Sequence, residues 1–104
     1  MTTLVNPAPE AVLSSLKWLA AAGGPFGPWF DRGVLAVIEQ IERTGHYTPD
    51  PIGGLAGGGD PEQRAEAERL VRRRGWTIEE GTAFARGVRR AEAELAYYDG
   101  TRSG

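Results

Sequence analysis

The chain has no cysteine, a single histidine (His46) and a single lysine (Lys17). Without cysteine there are no disulfides, thiolate nucleophiles or sulfur-ligated metals, and a reducing compartment fits. One histidine leaves little for metal binding, which needs three or four ligands. His46 and Asp50 form a conceivable catalytic or metal pair, but no third ligand stands nearby. Ser14 and Ser15 lie in an expected helix, and Thr44 and Thr48 show no nucleophile-elbow pattern. No apolar run reaches bilayer-spanning length, and the start MTTLVNPAPE lacks a basic segment followed by an apolar one. The expected setting is cytoplasmic. No metal and no cofactor are expected.

Charge of one sign is also in short supply. The net charge is −2, which does not suggest an electrostatic nucleic-acid binder. It hides an asymmetry. Residues 1–60 carry three cations against six acids, a net −3, and residues 61–104 carry nine arginines against eight acids, a net +1.

Glycine is abundant, at 15 of 104 residues, about twice the usual share. The length fits one domain over 1–104, able to bury about two-thirds of its unfolded surface. The apolar spacing predicts an all-α fold. Asn6 and Pro7 make a cap and a first helical residue. Val12, Leu13, Leu16, Leu19 and Ala20 follow at helical spacing, and Gly23 and Gly24 stop the run. Pro28 opens a second helix, whose stripe of Phe30, Val34, Val37, Ile38 and Ile41 is the strongest in the chain. Gly33 sits at its edge, where it permits close approach of another helix. Gly45 is its C-terminal glycine.

Residues 45–60 form the longest irregular stretch, with Tyr47, Ile52 and Leu55 available to pin its first half to the core. Asp60 and Pro61 then start a third helix with a thin face of Ala67, Leu70 and Val71, stopped by Gly75. Thr77 and Glu80 stand at capping-box spacing and open a fourth helix. Ile78, Gly81, Phe84, Val88, Ala91, Leu95 and Tyr98 share one side of it. The expectation is a small irregular four-helix bundle, with helices near 7–22, 28–44, 61–74 and 77–98. It is two helical hairpins joined by a Gly-rich loop, ending in a frayed tail at 99–104.

Residues 61–98 look like a helix-turn-helix, the sharpest lead toward DNA. Glu79 and Glu80, however, occupy the first turn of the would-be recognition helix, where they face phosphates. Gly81 replaces the apolar wedge usual between the two helices. The Gly-rich loop before Asp60 has neither the GK[ST] sequence nor the preceding strand of a phosphate loop. Two features remain. Four arginines, Arg69 and Arg72–Arg74, fall within six residues, more than a helix dipole needs. Trp18, Trp29 and Tyr97 lie off their helices' apolar stripes, on a chain where Arg86 and Arg90 face outward. Exposed Trp, Tyr and Arg are the types that dominate protein interfaces. The reading is a non-enzymatic interaction or assembly protein that binds through Trp18, Trp29, Arg69, Arg72, Arg73, Arg86, Arg90 and Tyr97. Its partner is another protein, acidic in character, or a second copy. A DNA-binding regulator built on 61–98 is the first alternative. A small-molecule or catalytic role around His46 and the Gly-rich loop is the second.

Overall fold

The computed structural model describes residues 10–20, 26–56 and 60–103, and side chains are described for 12–20, 26–56 and 60–97. It contains α1 (Glu10–Leu19), α2 (Pro28–Thr44), a short 3-10 helix η1 (Pro51–Leu55), α3 (Pro61–Arg73) and α4 (Ile78–Ser103). No strand occurs among the described residues, and the helices pack as a small bundle. The expected starts at Asn6–Pro7 and stops at Gly23–Gly24 lie outside the described residues, as does the run 57–59.

Helix boundaries follow local chemistry. Gly27 precedes Pro28 with φ 94°, and Gly45 closes α2 at φ 83°, its N–H donating to the Ile41 carbonyl at 2.7 Å. The Asp60 carboxylate accepts from the Glu62 N–H at 3.0 Å and caps α3. Gly75 ends α3 at φ 78°. Its N–H donates to the Arg72 carbonyl at 3.0 Å, and the Trp76 N–H donates to the Val71 carbonyl at 3.1 Å. Those two bonds make a Schellman turn. The capping box also forms. Thr77 Oγ1 accepts from the Glu80 N–H, and the Glu80 carboxylate accepts from the Thr77 N–H, each at 3.0 Å.

The dominant contact is between α2 and α4 rather than within either sequence-adjacent hairpin. Glycine makes it possible. A Cβ built on Gly33 falls 2.1 Å from the Phe84 carbonyl oxygen, and one on Gly87 falls 2.1 Å from that of Phe30. The backbones therefore meet where no side chain fits. All five stripe residues of α2 are buried, against Phe84, Ala85, Val88, Ala91 and Leu95 of α4 and Val12 and Leu16 of α1.

The first half of the 45–60 segment is held in place. Tyr47, Ile52 and Leu55 are buried, and the Asp50 carboxylate accepts from the Ile52 N–H to cap η1. Arg89 Nε donates to the Gly53 carbonyl at 3.0 Å, tying η1 to α4. Helix α3 packs chiefly on η1, where Gly54 and Gln63 come close. Helix α4 continues through Ser103, five residues past the expected end at Tyr98. Beyond Tyr98 stands Gly100 and no proline, and glycine costs a helix only about 1 kcal/mol relative to alanine.

Candidate functional site

The turn after α3 builds the most distinctive surface. The αL conformation of Gly75 turns the chain so that Trp76 lands on α2 and α4. The Trp76 ring meets Trp29 nearly edge-on, with centroids 4.9 Å apart and 66° between planes, and meets Phe84 at 4.9 Å. Arg32, one turn after Trp29, lies over both indoles. Arg74 lies over Trp76 and Phe84. Such edge-on and tilted aromatic pairs are each worth about 0.5–1.5 kcal/mol beyond the area they bury. A guanidinium over a ring adds about 0.5–1 kcal/mol where solvent reaches it. A shallow groove of about 390 Å³ follows the cluster, lined by Arg32, Leu35, Ala36, Glu39, Arg74, Trp76 and Phe84. Leu35 is 49% exposed there.

A second hollow of about 360 Å³ lies between η1, the start of α3 and α4, lined among others by Asp50, Gln63, Glu66, Arg89 and Glu92. Its charges are largely engaged. The Tyr47 hydroxyl donates to Glu92, and Arg89 lies 3.7 Å from the same carboxylate. Asp50 caps η1 and stands 3.9 Å from Arg74. Burial, then the hydrogen bond to Glu92, pushes the Tyr47 phenol well above its ordinary 10.0. None of the described lining residues is Ser, Thr, Cys or His.

The sequence-derived site residues fall in different places. Trp29 belongs to the aromatic cluster and is half-buried. Trp18 is 79% exposed on α1, and no ring contact joins it to Trp29 or Trp76. Tyr97 is 68% exposed near the far end of α4. Arg69, Arg72, Arg73 and Arg86 are exposed and form no ion pair among the described residues. Arg90 is paired with Glu94 at 2.8 Å, and Glu94 also accepts from Ser15 of α1 at 3.3 Å. The binding set read from the sequence omits Arg32, Leu35 and Trp76, and it holds Arg74 only as a neighbour within the arginine cluster. The signal was present as an i, i+3 Trp–Arg pair at 29 and 32 and an Arg-Gly-Trp turn at 74–76.

The alternatives receive little from the geometry. His46 is exposed, and no hydrogen bond or ion pair joins its ring to Asp50. Among the described residues no group of three or more His, Cys, Asp or Glu side chains is placed to hold a metal ion. No described helix is long and apolar enough to cross a membrane. In the 61–98 unit Gly81 packs onto Val71, where an added Cβ would stand 2.4 Å from a valine methyl. Glu79 and Glu80 lie in the first turn of α4.

No protein-family model matches the chain, and searches of curated proteins and of solved structures find no match either.

Proposed function

We propose that the chain is a non-enzymatic interaction or assembly protein: a small accessory, regulatory or particle-component subunit acting in a reducing, cytoplasmic setting. One observation carries the reading. The Trp29–Trp76–Phe84 stack, capped by Arg32 and Arg74, borders a groove with an exposed leucine. Trp, Tyr and Arg dominate binding energy at protein interfaces, mostly in clusters of a few residues. A rigid aromatic platform also loses little side-chain entropy on binding. Trp18, on α1, supplies a second exposed anchor on another element.

The test is site-specific photo-crosslinking in the native cells. A crosslinker at Leu35 is expected to capture a defined protein, and one at exposed Glu62 on α3 is not. Equal yields at both positions, or no adduct at position 35, contradict the reading.

A DNA-binding regulator is the second reading, supported by Arg69, Arg72, Arg73 and Arg86 on the α3–α4 hairpin, which are exposed and form no ion pair among the described residues. It requires salt-sensitive duplex binding that weakens in Arg86→Ala. Glu79 and Glu80 weigh against it, because they bring negative charge to the turn that would face phosphate.

A further inference from the structure

Arg32 and Arg74 reach the same indole from two different elements. The Arg32 Cζ lies 4.2 Å from the Trp29 ring centroid and 5.6 Å from that of Trp76. The Arg74 Cζ lies 5.2 Å from Trp76 and 5.9 Å from Phe84. A guanidinium stacked on a ring gives its face to that ring and keeps its in-plane N–H donors at the edge. Carboxylates bind at that edge, through two parallel hydrogen bonds. Arg32 makes no ion pair among the described residues, and the one ion pair of Arg74 is the 3.9 Å approach to Asp50. The ring contacts hold both cations beside the groove, which lowers the entropic cost of capturing an anion there. Between them Leu35, Ala36 and Phe84 supply an apolar lining.

We infer that this groove docks an acidic amphipathic segment of a partner protein, one that presents carboxylates on either side of an apolar side chain. The inference rests on the proposed function and adds the chemistry of the partner. Charge complementarity selects it: the Trp76 part of the groove is cationic on both sides. Glu39 lines the same groove, so the partner's acids fall toward Arg32 and Arg74 and its apolar side chain on Leu35. A nucleic-acid strand fits less well. Trp76 is already engaged by two rings and two guanidiniums, which leaves little of the indole for a base to stack on.

The experiment is fluorescence anisotropy with a labelled helical peptide of roughly fifteen residues, a length at which isolated helices are marginal in water. The peptide carries a leucine stripe flanked by glutamates. Its glutamine twin and a single-stranded oligothymidine serve as comparisons. The acidic peptide is expected to bind with marked salt sensitivity, and the twin at least roughly tenfold more weakly. Arg32→Gln and Arg74→Gln are each expected to weaken binding roughly tenfold, the size of a moderate interface residue. Leu35→Asp abolishes binding, and Arg64→Gln on α3 leaves it unchanged. Arg32 and Leu35 are exposed, so their variants keep the fold, and circular dichroism checks Arg74→Gln. Equal binding of the twin, no effect of Arg32→Gln, tighter binding of oligothymidine, or no saturation at millimolar peptide overturns the inference. Crosslinking at Leu35 to a protein whose contacting segment is not acidic overturns it too, while sustaining the proposed function.

Discussion

Gly87→Ala is expected to destabilise the protein, although alanine is the better helix former. In an open helix the substitution adds about 1 kcal/mol of stability. Here the new Cβ meets the Phe30 carbonyl oxygen at 2.1 Å, about 1 Å inside the closest approach that Cβ atoms show. The obstacle is backbone on α2, so no rotamer change relieves it. The two helices must separate, and an added gap of that order forfeits a quarter to a half of each dispersion contact across the crossing. Overpacking of this kind costs about 1–3 kcal/mol, and the propensity gain offsets part of it. A net loss of about 1–2 kcal/mol is expected from a total near 5–15 kcal/mol. Urea unfolding followed by circular dichroism reads it as a lower midpoint at unchanged slope. Gly33→Ala meets the Phe84 carbonyl at the same distance and is expected to act similarly. The double variant should lose less than the two losses added together, because the first alanine has already opened the crossing. A Gly87→Ala protein as stable as the parent, or more so, refutes the close crossing and with it the packing of α2 on α4.

Other expectations follow from the turns and from Tyr47. Thr77→Ala removes one arm of the capping box and is expected to cost about 1 kcal/mol in thermal or urea unfolding. Gly75→Ala forces a side chain into the left-handed region at φ 78° and is expected to cost about 1–2 kcal/mol. Because that turn carries Trp76, the same variant is expected to reduce docking at the Arg32 groove. Tyr47 holds its proton more tightly in the fold than in the unfolded chain. Its contribution is therefore fully present below about pH 10 and is lost as pH rises above it, at up to about 1.4 kcal/mol per pH unit. Tyr47→Phe is expected to flatten that alkaline slope in pH-dependent unfolding, while lowering stability at neutral pH by removing the donor to Glu92.

Much of the fold was legible because its signals are local. The α2 stripe, the Thr77–Glu80 capping box and the stop at Gly75 each depend on residues within a few positions, and all appear where expected. The off-stripe position of Trp18 likewise translated into exposure. The long-range pairings did not follow. Gly33 suggested a close neighbour without naming it: the helices adjacent in sequence do pack on each other, but the largest contact is α2 on α4. Gly87 lies off the expected α4 face yet is buried, because α2 crosses there, and Ala85, at the opposite edge of that face, is buried as well. The candidate site was half visible. Trp29 and the outward arginines were recognisable by type and spacing, but Arg32 and Arg74 meet only through Trp76, across a separation in sequence that no helical period encodes. Arg90 stood out as a surface cation, whereas Glu94 one turn later engages it.

The proposed docking surface for an acidic segment is the groove lined by Arg32, Leu35 and Trp76, with Trp29 packed edge-on against Trp76. The chain has three tryptophans, so three indole N–H signals report on it separately in an NMR titration with the glutamate peptide. The Trp29 and Trp76 signals are expected to move together and saturably, Trp18 to stay still, and Arg32→Gln to suppress both shifts. Movement of Trp18 alone, or no movement at Trp76 while the peptide binds, contradicts this docking.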